Sequence, residues 1–205
     1  MKKIILACAI FASAVCSFAQ DATLKSVCTQ LSKNAITKGD FVQSKTIAKN
    51  GRTLKSSGKY IFTLEGIAWN TLKPFSSSLV LKSDSMIQIS ADGKKTVTDA
   101  SGNETFKSIA STLTSVFTGR EDDLLKNFEC NFSTDGSLWT VELSPRDKTV
   151  ASMMKKIVLC GTVEKTEITS IELSEASGDV VMYAFQNSVH PKDLTDEEKT
   201  CFSEK

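Results

Sequence analysis

Apolar and polar residues alternate along much of the chain between residues 41 and 99. Tyr60, Phe62 and Leu64 share one parity, and Leu79 and Leu81 share one parity in a later segment. This period of two is typical of antiparallel strands that have one buried face. Pairs such as Asn50-Gly51 and Asp92-Gly93 supply turn chemistry between them. The pattern predicts strands at residues 41–49, 54–64, 67–72, 76–82, 86–90 and 94–99.

Two segments have the three- and four-residue period of a helix. Residues 21–36 carry one apolar stripe, and Gly39 follows as the expected exit. Residues 105–127 begin with a stretch rich in serine and threonine. A second set of strands is predicted at residues 128–133, 138–143, 156–161, 167–173 and 180–187. Strands, an inserted helical segment and strands again predict an α+β fold, with helices on one side of an antiparallel sheet.

The first residues have the three parts of a secretory signal peptide. Lys2-Lys3 is followed by an apolar core at residues 4–15 and by small residues that end at Ala19. The core is too short to act as a stable membrane anchor. We expect residues 1–19 to be cleaved and residues 20–205 to form one domain. Lipidation at Cys16 is the alternative, although Ser13-Ala14-Val15 fits a lipobox poorly.

The charge balance argues against two classes of partner. Removal of the signal peptide takes away Lys2 and Lys3, so the formal net charge changes from +1 to about −1. A chain so balanced lacks the basic footprint of a nucleic-acid-binding protein. It also lacks the basic clusters that hold a protein on an anionic membrane surface.

Four cysteines remain after the signal peptide: Cys28, Cys130, Cys160 and Cys201. Their spacing excludes a CxxC site. An even number in an oxidising compartment permits disulfides, and four cysteines allow three full pairings that the sequence does not rank. Buried free thiols that pack as small hydrophobes fit the pattern equally well.

Patterns for catalysis and for metal binding are missing from the sequence. The only histidine, His190, stands beside Pro191 in a polar segment, with no nucleophile motif near it in sequence. There is neither an HExxH helix nor paired Cys/His spacing, so no cofactor and no metal are predicted. The acidic clusters at residues 121–123 and 196–198 fit the beginnings of helical turns, where the helix dipole favours them.

Aromatic residues fall on particular strand parities rather than at random. Phe62, Trp69, Trp139 and Phe185 each stand among polar neighbours. A closed hydrophobic core would give the same pattern and is the simpler interpretation. A short, weakly apolar helix at residues 106–117, bordered by Gly102 and Gly119, favours instead a movable cover over an apolar sheet.

A series of short motifs follows the order found in one known family. Phe41-Val42-Gln43 comes after the first helix, Ser57-Gly58 leads into an apolar strand, and Trp69 precedes a hairpin with Lys73-Pro74. A helical insertion then precedes a phenylalanine strand at residues 128–132 and an apolar strand at residues 139–145. Over essentially the whole mature chain this order resembles the LolA-type periplasmic carriers of outer-membrane lipoproteins.

The resemblance implies a fold and a function. It implies a curved antiparallel sheet that forms an open, incomplete barrel capped by short helices. The function implied is a periplasmic, non-enzymatic, monomeric carrier. Such a carrier would take the acyl chains of lipoproteins from an inner-membrane lipoprotein-releasing transporter and pass them to an outer-membrane receptor. Many members place an Arg-Pro pair that fixes the lid after the apolar strand, whereas this chain has Leu64-Glu65 there. Either Glu65 or a nearby group takes over lid closure, or the lid is held more loosely, or the cargo differs.

Strand and helix parity then identify candidate site residues. The residues predicted to line an acyl-chain cavity are Phe62, Leu64, Trp69, Leu79, Leu81, Ile87, Ile89 and Val141. The residues predicted to form the lid are Ile109, Leu113, Val116 and Phe117. Each set depends on register, because a shift of one residue would turn a strand's set to the other face.

Other functions remain open at this stage. The same fold would serve as a binding module that senses lipid or envelope stress for a signalling partner, or as a carrier of another lipid. An esterase-like enzyme using cysteine or serine with His190 is a further alternative. A structural envelope protein with a filled core would bind no lipid at all.

Overall fold

The protein is built on one antiparallel sheet of eleven strands. The computed structural model describes residues 22–99, 114–116, 119–165 and 167–202. The strands are β1 (Ile36–Thr46), β2 (Thr53–Thr63), β3 (Gly66–Lys73), β4 (Ser77–Lys82), β5 (Ser85–Ile89), β6 (Lys95–Asp99), β7 (Phe128–Asp135), β8 (Leu138–Pro145), β9 (Met154–Thr162), β10 (Ile168–Glu175) and β11 (Val180–Val189). Their order in the sheet is β6-β5-β4-β3-β2-β1-β11-β10-β9-β8-β7. β6 and β7 are the two edges, so the sheet is open rather than closed into a barrel.

Within the described residues, four short helices accompany the sheet. They are α1 (Leu24–Leu31), α2 (Glu121–Asn127), α3 (Lys148–Met153) and α4 (Asp196–Cys201). Thr23 and Thr195 begin α1 and α4 with capping boxes, and Asp147 caps α3 by accepting from two backbone N–H groups. Residues 114–116 are also helical. The predicted α+β class with an open antiparallel sheet is therefore confirmed.

One face of the sheet, here called the inner face, holds most of the core. Phe41, Tyr60, Phe62, Trp69, Tyr183 and Phe185 form an aromatic cluster on it. Ring centroids are 4.5 Å apart for Tyr60 and Phe62 and 5.2 Å apart for Phe62 and Trp69, within the range of favourable aromatic pairs. Val27 and Cys28 of α1 and Leu124 of α2 are buried against this core, so both helices cover the inner face.

The opposite face, here called the outer face, carries a second and smaller apolar cluster. Ile61, Ala68, Val80 and Ile87 are buried there together with Phe202 at the end of α4. Lys38 Nζ lies 2.6 Å from Glu198 Oε1, which attaches α4 to β1. The C-terminal segment therefore covers apolar residues that would otherwise be exposed on the outer face.

The ion pair between Lys38 and Glu198 predicts a small pH dependence of the protein's stability. The hydrogen bond from Lys38, followed by bonds from Thr195, holds the pKa of Glu198 below its ordinary value of 4.5. A carboxyl with a lowered pKa stabilises the fold above its unfolded pKa, and the contribution is lost as the pH falls through the folded value. For a partly exposed pair we expect at most about 1 kcal/mol.

Urea unfolding of the wild type and of Glu198→Gln at pH 6 and pH 3 measures this contribution. The wild type should lose more stability on acidification than Glu198→Gln does, whereas Glu197→Gln, on the same helix, should behave like the wild type. Equal losses in all three would contradict the stabilising role of the Lys38 contact.

Most predicted strands are found within a few residues of their predicted bounds, but the first helix is shorter. α1 ends at Leu31, and β1 begins at Ile36, five residues before the predicted start. Gly39 lies inside β1 at a register shift, not at a helix exit, and a Cβ there would come 2.7 Å from the Gln186 carbonyl oxygen. Residues 32–35 form the connection between α1 and β1 despite their helical period, and pairing with β2 begins at Ile36.

Candidate functional site

The inner face of the sheet surrounds a cavity of about 540 Å³. Side chains from β1, β3, β4, β5, β9, β10 and β11 line it, together with Val116 of the helical residues 114–116. Because widely separated strands of one sheet reach the same cavity, the sheet must curve around it. The lining residues are Gln43, Ile67, Trp69, Thr71, Ser77, Ser78, Leu79, Leu81, Met86, Gln88, Val116, Ile157, Ile171, Leu173 and Tyr183.

The register explains how the inner face lines this cavity. Ile67 pairs with Leu81, and Leu81 pairs with Met86, so these three residues form one apolar row across β3, β4 and β5. Trp69 pairs with Leu79 in the adjacent row. Cavities of this size lined mainly by apolar side chains are the usual form of small-ligand sites. Leu79 is 39% exposed although its neighbours Val80 and Leu81 are buried.

Three of the predicted cavity residues line the cavity. They are Trp69, Leu79 and Leu81. Phe62 and Val141 lie on the inner face but are buried in its packed core and do not reach the cavity. Leu64 is 63% exposed, beyond the end of β2 in the turn to β3. The strand pattern predicted for residues 54–64 thus ends one residue early, at Thr63.

The parity predicted for β5 is corrected by the structure. Ile87 faces the outer cluster, where it packs with Val80, and Ile89 shares its parity and is partly exposed. Met86 and Gln88 face the cavity in their place. The wrong face was predicted because β5 has apolar residues on both of its faces, Met86 on one and Ile87 and Ile89 on the other.

Of the predicted lid residues, Val116 is buried and lines the cavity. Ile109, Leu113 and Phe117 lie outside the described residues, as does the predicted signal peptide. Among the described residues of the second half of the chain, only Val116 was correctly predicted to lie at the cavity, and the lining residues missed there are Ile157, Ile171, Leu173 and Tyr183. Alternation alone marks their strands as half-buried, and only the pairing of β1 with β11 brings them to the same cavity.

The four described cysteines are free thiols. Burial, and then the nearby Glu121 carboxylate, raise the pKa of Cys28 to about 12. Burial also raises the pKa of Cys130 and Cys201. Since the thiolate is the nucleophile, these shifts disfavour cysteine chemistry at neutral pH. His190 accepts or donates a hydrogen bond with Thr37 Oγ1 at 3.0 Å and is not part of the cavity lining.

The described residues offer little for other chemistry. No group of three or more His, Cys, Asp or Glu side chains within them is placed to hold a metal ion. In the same part of the chain, no helix combines the length and apolar character needed to cross a membrane. The apolar cavity is therefore the candidate site.

A family model described as "Outer membrane lipoprotein carrier protein LolA" matches residues 32–199. The chain belongs to the LolA family. The match spans the sheet from before β1 into α4 and so includes every described cavity residue. The LolA family is a binding and carrier fold rather than a known enzyme fold. No curated protein matches the chain.

Several solved structures resemble the chain at low sequence identity. An uncharacterized conserved protein from Thermus thermophilus superimposes with a TM-score of 0.52 at 7% identity, over 85% of this chain and 90% of that one. A LolA superfamily protein from Nitrosomonas europaea gives 0.44 at 9% identity, over 86% and 96%. The MucA/MucB complex of Pseudomonas aeruginosa gives 0.48 at 11% identity, over 86% and 60%. Of these three, only the Thermus thermophilus match has a TM-score above 0.5, and at 7% identity it bears on the fold alone.

The position where many LolA-type carriers have Arg-Pro is occupied by a tight turn. Thr63 Oγ1 accepts hydrogen bonds from the backbone N–H groups of Glu65 and Gly66, at 3.2 and 3.1 Å. The Glu65 side chain is exposed and makes no hydrogen bond or ion pair with any residue of the described ranges. A lid contact by Glu65 stays a prediction.

Proposed function

We propose that this protein is an extracytoplasmic carrier that holds the acyl chains of lipoproteins in its inner-face cavity. The observation that carries the proposal is the 540 Å³ apolar cavity in a chain of the LolA family. In this proposal residues 1–19 direct secretion and are removed, the mature chain acts in the periplasm as a monomer, and it catalyses no reaction. It receives its cargo from an inner-membrane lipoprotein-releasing transporter and delivers it to an outer-membrane receptor.

The energetics of acyl chains support the need for such a cavity. Moving one methylene from water to an apolar environment contributes roughly 0.8 kcal/mol, so a free lipoprotein anchor would not cross an aqueous compartment unaided. A carrier must also release its cargo. A short cover near Val116, with the predicted lid residues Ile109, Leu113 and Phe117, would allow open and closed populations to exchange.

Saturable uptake of a neutral apolar fluorophore tests the proposal. N-phenylnaphthylamine should bind the delipidated mature protein with about one site per chain and gain fluorescence as it leaves water. A synthetic triacylated peptide should displace it at stoichiometric concentrations. Absence of saturable uptake would refute the carrier proposal, because it would mean that the cavity is filled in solution.

A further inference from the structure

The cavity has a polar margin along one end of the sheet. β4 runs antiparallel to β1, β3 and β5. One end of the sheet therefore holds the C-terminal residues of β1, β3 and β5 and the N-terminal residues of β4. Along β3 the inner-face residues change from Ile67 to Trp69 to Thr71, and along β4 they change from Leu81 and Leu79 to Ser77 toward the same end.

The neighbouring strands follow the same change. In β5, apolar Met86 is followed by Gln88, and in β1 the buried Phe41 is followed by Gln43. Tyr183 of β11 stands opposite Gln43. All of these polar side chains line the cavity. We call the set Gln43, Thr71, Ser77, Gln88 and Tyr183 the polar margin.

Several hydrogen-bonding groups of the polar margin have no partner among the described residues. Gln43 Oε1 accepts from Ser56 Oγ at 2.6 Å, which leaves the Gln43 amide NH₂ as a donor. The side chains of Thr71, Ser77, Gln88 and Tyr183 make no hydrogen bond with any residue that the structure describes. Burial raises the pKa of Tyr183, so its hydroxyl stays neutral and can donate. A ligand atom at this margin would find donors and acceptors that no described residue of the protein occupies.

The polar margin lacks charge. Within the described residues, no Lys, Arg, Asp or Glu side chain lines the cavity. The next inner-face residue of β1, Lys45, is held by Glu175 Oε1 at 2.7 Å and by Asp179 Oδ2 at 3.3 Å. These two carboxylates neutralise the ammonium, so it is not free to receive a phosphate. The margin is half-exposed, so a charged head group would lose part of its hydration there without gaining an ion pair.

We propose that the cavity selects acyl chains that carry an uncharged, hydrogen-bonding head group, and that the polar margin binds this head while the row from Ile67 to Met86 holds the chain. This inference rests on the proposed function and names its ligand class. Amide and ester groups of a lipoprotein anchor have this chemistry, and so do the hydroxyls of a neutral glycerolipid. The same chain with a phosphate head is disfavoured.

Displacement of bound N-phenylnaphthylamine by matched amphiphiles tests the selection. The competitors are 1-palmitoylglycerol, its phosphate ester 1-palmitoyl-lysophosphatidic acid, and an N-palmitoyl dipeptide amide, each below its micelle concentration. Partial desolvation of the phosphate without a compensating ion pair predicts that the two neutral competitors act at about tenfold lower concentration than the phosphate. Equal or tighter displacement by the phosphate would overturn the inference.

A double variant separates the polar margin from the rest of the cavity. Thr71→Val with Ser77→Ala should reduce the preference for neutral heads over the phosphate, measured relative to the fluorophore affinity of the same variant, to less than about threefold. Thr140→Val, on the outer-facing parity of β8, serves as the control and should keep the full preference. An undiminished preference in the double variant would overturn the assignment to these residues.

The arms of the experiment distinguish its two possible failures. If the wild type shows no saturable fluorophore uptake, the carrier proposal itself is refuted. Saturable uptake without head-group preference refutes only the present inference. If the neutral heads are preferred, tighter binding of the dipeptide amide identifies an acylated peptide as the source, and tighter binding of palmitoylglycerol identifies a free neutral lipid.

Discussion

Leu79→Asp is expected to abolish uptake of apolar ligands while leaving the protein folded. Leu79 lines the cavity from β4 but is 39% exposed, so a carboxylate there can remain hydrated in the empty protein. A bound acyl chain would have to strip that hydration and leave an unpaired charge in an apolar site, which costs several kcal/mol. A penalty of roughly 3 kcal/mol or more corresponds to at least about a hundredfold loss of affinity.

Leu72→Asp is the matched control for this variant. Leu72 is also a leucine of the same half of the sheet and is 54% exposed, but it does not line the cavity. Fluorophore titration of both variants and the wild type, with thermal melts to show that each is folded, gives the comparison. Unchanged uptake by Leu79→Asp, or equal loss in both variants, would contradict the placement of ligand in this cavity.

Gly161→Ala is expected to cause a large loss of stability. A Cβ at Gly161 of β9 would overlap the indole of Trp139 and the carbonyl oxygen of Glu167. Trp139 is fully buried and donates a hydrogen bond from Nε1 to the Thr162 carbonyl oxygen at 3.1 Å, so it has little room to move. Overpacking of this kind costs roughly 3 kcal/mol, which in a chain of this size lowers the melting temperature by about 6–12 °C.

Gly93→Ala provides the comparison for this loss. Gly93 lies in a turn with φ of +81° and has open space around it, so the substitution adds backbone strain without a clash. That strain is expected to cost about 1–2 kcal/mol. Melting both variants by circular dichroism separates strain from overlap, and a melting temperature for Gly161→Ala at or above that of Gly93→Ala would show that the β8–β9 contact is looser than described.

The architecture could be predicted from local patterns. Alternation between residues 54 and 82, together with turn pairs such as Asn50-Gly51, located the strands because antiparallel hairpins are specified by short-range sequence. The β2, β3 and β4 strands agree with their predicted bounds to within one residue at each end. The family order of motifs then supplied the open, curved form of the sheet, which no local pattern contains.

The cavity was less predictable, because its lining depends on pairing between distant segments. Gln43 reaches it only through the pairing of β1 with β11, and Ile157 reaches it through β9 and β10. β5 shows a second difficulty. Its outer face is buried by Phe202, more than a hundred residues later, so the strand is apolar on both parities and alternation alone does not identify the inward side.

Native mass spectrometry tests the central claim most directly. The mature protein would be purified without detergent from the cell envelope fraction, and one sample would then be incubated with a triacylated lipopeptide. The account predicts a mass that equals the protein plus one acylated ligand, present as purified or formed on addition, and absent from Leu79→Asp but retained by Leu72→Asp. A mass of the protein alone in both wild-type samples would contradict it.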